Sequence, residues 1–234
     1  MKNLENMEHR QAESSRPSAD REMTLTTEFS ELSGKDDFVR ETSFEYAHSR
    51  MGRYTIEDYY ALPDDRRVEL IDGVFYDMAA PAVTHQAAIS QIFRQLADYI
   101  DSEGGSCLPL ISPVDVQLDC DDRTMVQPDI MVVCDWSKVI NRCIYGAPDL
   151  VMEVLSDSTA RKDQTIKLEK YRKAGVKEYW MIDLQQEKAV VYDFVNEISP
   201  GIYGVNRSVP VGIFEGKCQI RFEKILDTIK RLQE

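Results

Sequence analysis

Two apolar runs, Val126-Gln-Pro-Asp-Ile-Met-Val-Val133 and Asp149-Leu-Val-Met-Glu-Val-Leu-Ser156, decide the fold of this 234-residue chain. Each run has the composition of a buried strand, yet each carries one carboxylate, Asp129 in the first and Glu153 in the second. An ionised carboxylate among apolar side chains costs several kcal/mol unless a cation or hydrogen-bond donors meet it. The partner that the sequence predicts is therefore a metal ion, a lysine, or both.

The second run begins a strand–helix–strand unit. Leu150–Leu155 is apolar on both faces apart from Glu153, which is typical of a central strand covered on both sides. Cap residues at 156–159 begin a polar helix that we expect to end at Ala174, because Gly175 is a typical C-terminal stop. Glu178–Asp183 is the next predicted strand.

Periodicity and turn signals predict the remaining elements around this unit. The strongest turn signal is Asp72-Gly73, which joins two short β-rich runs into a hairpin. The predicted helices are Thr55–Leu62, Thr84–Ile100 and Phe222–Leu232, and the predicted strands are 67–71, 74–78, 114–118, 127–134, 188–194, 202–205, 209–211 and 217–221, with a turn-rich loop over 135–148.

The N-terminal residues 1–50 are polar, charged and without sustained periodicity. We expect a largely disordered extension there and an ordered domain over residues 51–234. Met51 directly precedes the first ordered segment, so translation starting at Met51 is an alternative to Met1, and mass spectrometry of the native N-terminus decides between them.

Composition narrows the function classes. The net charge is −13, which argues against tight non-specific binding of DNA but not against a metal-dependent nuclease, whose site is itself acidic. No apolar run reaches the roughly 18 residues that cross a bilayer, so we expect no membrane partner. With no secretory signal and no Cys-x-x-Cys pair, the five cysteines predict a cytoplasmic protein with reduced, mostly buried thiols; they are Cys107, Cys120, Cys134, Cys143 and Cys218.

Asp129, Glu153 and Lys167 form the candidate site. Carboxylates on neighbouring strands, about 4.8 Å apart, can share Mg²⁺, with Mn²⁺ as an alternative, and a metal-bound water can attack a phosphodiester. Glu69 is a further candidate ligand or general base. Each assignment has a plainer alternative: Glu69 is then an exposed strand residue, and Lys167 a simple i+4 partner of Asp163.

Three further residues stay open as candidates. His85, at the start of the second predicted helix, either lines the site or bonds nearby backbone. Lys162 and Lys170 are alternatives to Lys167, because the first turns of a helix that folds back over a strand bring long side chains within reach of its carboxylate. Lys170 is also consistent with a solvated helix face.

The order of these motifs resembles the Uma-two family of putative restriction endonucleases. The resemblance rests on the following motifs, which cover the chain from about Tyr54 to the C-terminus: Tyr54-Thr-Ile-Glu-Asp-Tyr59, Val68-Glu-Leu-Ile-Asp-Gly73, His85, Pro128-Asp129, Gly146-Ala-Pro-Asp-Leu150, Glu153-Val-Leu-Ser156, Asp163 with Lys167 and Tyr171, and Ala174-Gly-Val176 followed by Glu178-Tyr-Trp180 and Asp183.

The family belongs to the PD-(D/E)XK nuclease-like superfamily, so the resemblance implies an α/β (α+β) fold with a mixed central sheet flanked by helices and extra antiparallel hairpins. It also implies a magnesium-dependent phosphodiesterase site: Asp129 and Glu153 match the acidic metal-binding positions, and Glu69 the early glutamate. The lysine usual two residues after the glutamate is replaced by Leu155, and the family pattern moves it to Lys167. Asp157 stands where a proline is common.

Two functions follow as hypotheses. The first is a Mg²⁺-dependent endonuclease that cuts DNA with Asp129, Glu153, Lys167 and Glu69. The second is a non-catalytic binding or regulatory protein that keeps the nuclease fold, with homodimer formation expected by family analogy. Convergence of the four side chains in one open cleft is the observation that separates them.

Overall fold

In a computed structural model of the protein, the described residues are 52–63, 65–156 and 159–233. The expectations of disorder over residues 1–50 and of a start at Met51 lie outside them. The elements are, in chain order, α1 (Ile56–Tyr60), β1 (Val68–Ile71), β2 (Val74–Asp77), α2 (Val83–Ser102), β3 (Leu108–Ile111), β4 (Val116–Gln117), β5 (Ile130–Val133), β6 (Ile144–Tyr145), β7 (Leu150–Val154), α3 (a helical run of Ala160–Lys162, Asp163–Lys167 and Leu168–Ala174), β8 (Glu178–Asp183), β9 (Lys188–Asp193), β10 (Gly201–Gly204), β11 (Ser208–Pro210), β12 (Gln219–Arg221) and α4 (Glu223–Gln233).

Six of the described strands form one mixed sheet with the order β10-β9-β8-β7-β5-β3. The neighbours β7 and β8 are parallel, and α3 is the crossover between them; every other pairing in this sheet is antiparallel. The hairpins β1–β2 and β11–β12 stand outside it. The mixed α+β class with a helix-flanked central sheet is therefore confirmed.

Helices cover both faces of the sheet. The helices α2 and α4 pack on the face that carries Leu150 and Met152, and α3 packs on the opposite face with Val151. All five residues of β7 are buried, as the unbroken apolar run of Leu150–Val154 predicts for a central strand. The face under α3 is the one to which Glu153 belongs.

The β1–β2 hairpin delivers Glu69 to that face. Its two turn residues, Asp72 and Gly73, have φ of 49° and 75°, which is the backbone that a tight hairpin turn requires. The hairpin is tied to the chain before β5 by mutual backbone hydrogen bonds of 2.8 and 2.7 Å between Leu70 and Met125. Glu69 is 1% exposed, so its interpretation as an exposed strand residue is wrong.

The structure differs from the sequence-based prediction at the edge of the sheet. The strand expected over 114–118 is only Val116–Gln117, and the edge strand β3 lies earlier, at Leu108–Ile111. The residue Pro109 lies inside β3 and obscures the strand pattern. Proline is tolerated there because an edge strand leaves some backbone N–H groups unpaired.

The helix predicted to run from 156 to 174 is not a uniform α-helix. The middle of α3, Asp163–Lys167, is a π-helical segment. Its C-terminal end is as expected, since Gly175 adopts the left-handed conformation with φ of 92°. A π segment changes which side chains share a helix face, and such segments are frequent at functional sites.

The expectation that all five cysteines are reduced is wrong. Cys107, just before β3, and Cys134, just after β5, form a disulfide across these paired strands. Of the three free thiols, Cys143 and Cys218 are buried and Cys120 is exposed. Among the described residues, no helix has the length and hydropathy to cross a bilayer.

Candidate active site

Asp129 and Glu153 meet across two antiparallel strands. The pairing of Ile130 with Met152 places Asp129, immediately before β5, opposite Glu153 in β7. The backbone N–H of Asp129 donates to Oε2 of Glu153 at 3.3 Å, and the backbone N–H of Val154 donates to Oδ2 of Asp129 at 2.9 Å. The prediction that both carboxylates come together is therefore realised by strand register alone.

Lys167 reaches these carboxylates from the π segment of α3. Its Nζ lies 2.5 Å from Oε1 of Glu153 and 2.9 Å from Oε1 of Glu69, but 3.6 Å from Oδ1 of Asp163. Because Glu153 and Glu69 are closer than Asp163, Lys167 is more than an i+4 helix partner. The displaced lysine expected from the sequence thus contacts two of the three predicted acids.

Glu69 is held by two ammonium groups and one backbone donor. Nζ of Lys162 lies 2.7 Å from Oε2, while Oε1 accepts from the N–H of Gln127 at 3.1 Å in addition to Lys167. Burial raises the pKa of Glu69, but Lys167 and Lys162 outweigh burial and lower this pKa to about 2. Glu69 is therefore ionised under all ordinary conditions.

Tyr171 and Asp163 complete the cluster, although sequence reasoning assigned neither of them a role in the site. The hydroxyl of Tyr171 donates to Oε1 of Glu153 at 2.8 Å, and the hydroxyl of Tyr179 donates to the backbone carbonyl of Asp163 at 3.1 Å. The recurrence of Asp163, Lys167 and Tyr171 every four residues is the signal that would have found them.

His85 both bonds backbone and contacts the site, so its two interpretations hold together. Its Nε2 lies 2.8 Å from the carbonyl oxygen of Val154 and 3.3 Å from Oδ2 of Asp129. A carbonyl oxygen only accepts, so Nε2 carries a hydrogen. Burial lowers the pKa of His85, but the hydrogen bond to Asp129 and its charge raise this pKa above the ordinary value.

The buried acids and the lysine of the cluster shift one another's pKa. Burial raises the pKa of Glu153 to about 8; Lys167 opposes this rise, while Asp163, Asp129 and Glu69 add to it. Burial lowers the pKa of Lys167, but Glu153 and Glu69 raise it well above its ordinary value. The carboxylates therefore keep the ammonium charged, and they disfavour one another's ionisation.

The donor set fits a cation held by two carboxylates. Oδ2 of Asp129 accepts from the backbone N–H of Val154 and lies next to Nε2 of His85. Oε1 of Glu153 accepts from the hydroxyl of Tyr171 and from the ammonium of Lys167. The oxygens with the most free lone pairs are then Oδ1 of Asp129 and Oε2 of Glu153, and the latter accepts one 3.3 Å bond from the N–H of Asp129. Mg²⁺ is commonly held by one or two carboxylates with waters and substrate phosphates in the other positions. Among the described residues, no group of three or more His, Cys, Asp and Glu side chains has the arrangement of a metal site.

Access to the cluster is from one side. The side chains of Glu69, Glu153 and Lys167 are 1–4% exposed, whereas those of Asp129, His85 and Lys162 are 15–17% exposed. Solvent therefore meets the site at Asp129 and Lys162 rather than at the inner acids. Convergence of Glu69, Asp129, Glu153 and Lys167 in one open cleft is the criterion that separates the two hypotheses. The four side chains converge, but of the four only Asp129 is partly exposed.

Lys170 belongs to a different network. Its Nζ bonds Oδ1 of Asp72 at 2.7 Å and also Oδ2 of Asp119, and its side chain is 14% exposed. Its interpretation as a solvated face residue is therefore wrong, and it is not an alternative to Lys167. Lys162, the other alternative, does contact the cluster through Glu69.

Comparison with known proteins identifies the family of the chain. The profile of the Uma2 family, described as a putative restriction endonuclease, matches residues 56–203, well over half of the chain. The chain belongs to the Uma2 family. The expected family is thereby confirmed, and the matched range contains Glu69, Asp129, Glu153 and Lys167. A search of curated proteins finds no match.

A solved structure shares the fold of this Uma2 protein. It is the crystal structure of a putative nuclease belonging to DUF820 from Anabaena variabilis, with a TM-score of 0.62 and 20% sequence identity. The similarity covers 75% of this chain and 98% of that one. At this identity the match shows a common nuclease-like fold.

Proposed function

We propose that the protein is a magnesium-dependent endonuclease that hydrolyses phosphodiester bonds of DNA. The observation that carries the proposal is the meeting of Asp129 and Glu153 across β5 and β7. The oxygens least engaged by the protein are Oδ1 of Asp129 and Oε2 of Glu153, which accepts only the 3.3 Å bond from the N–H of Asp129. Membership of a family of putative restriction endonucleases supports the same reaction class.

Each residue then has a distinct task. Asp129 and Glu153 would hold the cation, which when bound supplies charge neutralisation at the phosphate and an acidified water. Lys167, fixed between Glu153 and Glu69, presents a permanent positive charge beside the scissile phosphate. Glu69 acts through Lys167, because its short contacts are with lysines and with the backbone of Gln127. It is therefore a positioning residue.

The proposal is tested with purified full-length protein, supercoiled plasmid and labelled oligonucleotides, with MgCl₂, MnCl₂ or EDTA. We expect cleavage with Mg²⁺ or Mn²⁺ and none with EDTA. Asp129→Asn and Glu153→Gln should each lower the cleavage rate by at least ~100-fold. Lys173→Gln, at an exposed helix position, is the control that should cleave like the wild type. Cleavage that survives EDTA or either carboxylate variant refutes the proposal.

One observation favours a second candidate, a non-catalytic nuclease-fold protein. The ammonium of Lys167 already lies among the carboxylates of Glu69, Glu153 and Asp163, so a lysine satisfies the acids that a metal ion would otherwise neutralise. Titration calorimetry with MgCl₂ separates the two candidates: no binding at millimolar concentration supports the non-catalytic protein. Homodimer formation is also proposed from family analogy, and light scattering of the purified chain tests it.

A further inference from the structure

A cavity of about 310 Å³ lies on the same sheet face as the candidate site. Strand register places Glu153, Met181 and Val190 side by side on β7, β8 and β9. Met181 and Val190 line the cavity, and so does Leu155, two residues after Glu153 on the same face. Neighbouring strands lie about 4.8 Å apart, so Met181 is one strand and Val190 two strands, or roughly 10 Å, from Glu153.

The position within the fold is that of a ligand crevice. β7 and β8 are parallel, and the cavity includes Leu155 and Asp183 at their carboxyl ends. Ligands of α/β sheets bind preferentially outside these ends. The other wall is the π segment of α3, from which Gln164 lines the cavity directly after Asp163 of the acidic cluster.

The lining has the chemistry of a site for a flat, heterocyclic group. Leu155, Met181 and Val190 form an apolar floor, and Tyr192 adds an aromatic ring. Gln164 carries both a donor and an acceptor, and Lys188 a cationic donor, at the rim. Every nucleobase has a π-face that stacks on aromatic side chains and an edge that bonds such polar groups.

We infer that this cavity binds one unstacked nucleotide of the DNA strand, adjacent to the phosphate at Asp129 and Glu153, and that the substrate is single-stranded or locally unpaired DNA. The inference rests on the proposed function. A base inside a duplex exposes only its edges in the grooves, so a recess between helix and sheet admits it only after it leaves the stack. A net charge of −13 is consistent with a binder that relies on one base and few phosphates.

Binding is measured first without cleavage, in EDTA, by fluorescence anisotropy. The probes are a labelled single-stranded 12-mer, the same strand with abasic residues throughout, and the 12-mer duplex. We expect the ordinary single strand to bind at least tenfold more tightly than the other two, since stacking of one base contributes a factor of this order. Equal affinity for the ordinary and abasic strands, or no binding of the single strand, overturns the inference.

Substitutions locate the base in the cavity. Tyr192→Leu should weaken binding of the ordinary strand by roughly tenfold and leave the abasic strand unchanged. The matched control is Tyr203→Leu, because Tyr203 pairs with Ala189 and packs on the opposite face of the same sheet. Since the ring of Tyr192 also packs against Tyr179 and Phe194, Gln164→Ala at an exposed position is a second variant, expected to weaken binding severalfold.

A crosslinking experiment needs no variant. A single strand carrying 5-iodouracil is irradiated with the wild-type protein, and the crosslinked peptide is identified by mass spectrometry. We expect attachment within β9, at Tyr192. Attachment confined to other elements overturns the inference. Base-dependent binding without magnesium-dependent cleavage would refute the nuclease proposal but not the cavity assignment, whereas cleavage with base-independent binding would refute only the cavity assignment.

Discussion

At the scale of single residues, a buried carboxylate does not by itself identify a functional site. Glu178 is buried in β8 much as Glu153 is in β7. However, Glu178 accepts from the indole N–H of Trp180 and from the backbone N–H groups of Gly212 and Ile213, at 2.6–2.9 Å. These neutral donors satisfy Glu178 structurally. Glu153 instead shares an ammonium with other acids, and that shared cation is what distinguishes the candidate site.

Lys167 is expected to stabilise the fold as well as to serve the site. Lys167→Met leaves Glu69, Glu153 and Asp163 without their common cation, which should lower the free energy of unfolding by about 3–5 kcal/mol at pH 7. Urea unfolding followed by circular dichroism measures it. Lys173→Met, whose side chain is 69% exposed and pairs with Glu169 on the same helix, should change stability by less than about 0.5 kcal/mol. Equal stability of both variants would contradict this account.

The pKa of Glu69 predicts a specific loss of stability in acid. Its pKa is about 2 in the folded protein, against 4.5 ordinarily, so its ionised form stabilises the fold above pH 4.5. This contribution, about 2–3 kcal/mol, should disappear as the pH falls from 4.5 towards 2. Glu153, with a pKa of about 8, stays protonated in the folded protein through that window.

The measurement compares wild type with Glu69→Gln in urea unfolding from pH 2.5 to 6, with EDTA present. The wild type should be more stable above pH 4.5, and the difference should shrink as the pH falls. A difference that is constant across the range would show that Glu69 does not carry this linkage.

At the scale of elements, the sequence predicted well wherever the pattern was local. The hairpin at Asp72-Gly73, the buried strand Leu150–Val154 and the stop at Gly175 all follow from short-range rules. The π segment of α3 does not, because its residues are also compatible with an α-helix. The edge strand β3 was missed because Pro109 obscures its pattern and only the pairing with β5 makes it a strand.

The disulfide between Cys107 and Cys134 joins β3 to β5 at the edge of the sheet and should stabilise this pairing. Of the five cysteines, three should react with a thiol reagent in denaturant without reductant, and five after reduction. Replacing both cysteines by serine should lower the free energy of unfolding by about 2–4 kcal/mol. Cys120→Ser, at an exposed thiol, is the control and should have little effect. Five reactive thiols before reduction would show that the bond does not form.

At the scale of the whole molecule, the candidate site draws on four separate parts of the chain. Glu69 comes from the hairpin, Asp129 and Glu153 from two strands, and Lys167 from α3. Sequence rules single out Asp129 and Glu153 as carboxylates in apolar strands, whereas Glu69 alone is equally consistent with an exposed strand residue. The family motifs indicate that the three acids belong together. Neither the sequence rules nor the motifs predict how deeply each acid is buried. Glu69 and Glu153 lie beneath the surface, whereas Asp129 is partly exposed to solvent.

The balance of charge over the molecule leads to a prediction for salt dependence. With a net charge of −13, we expect few phosphate contacts. Lys162 at the candidate site and Lys188 at the cavity are partly exposed, whereas Lys167 is buried among carboxylates. Two phosphate contacts to single-stranded DNA give a slope of about −1.4 for log K against log salt. Raising KCl from 50 to 300 mM should then weaken binding by only roughly 12-fold.

Anisotropy titrations of the single-stranded 12-mer in EDTA at several KCl concentrations give this slope. Lys188→Gln should make it shallower by about 0.7, the share of one contact, while Lys217→Gln, at an exposed lysine paired with Glu215, should leave it unchanged. A slope steeper than about −5 would require a broad basic surface. Since such a surface would hold duplex DNA without extracting a base, that result would contradict both the few-contact account and the nucleotide-binding cavity.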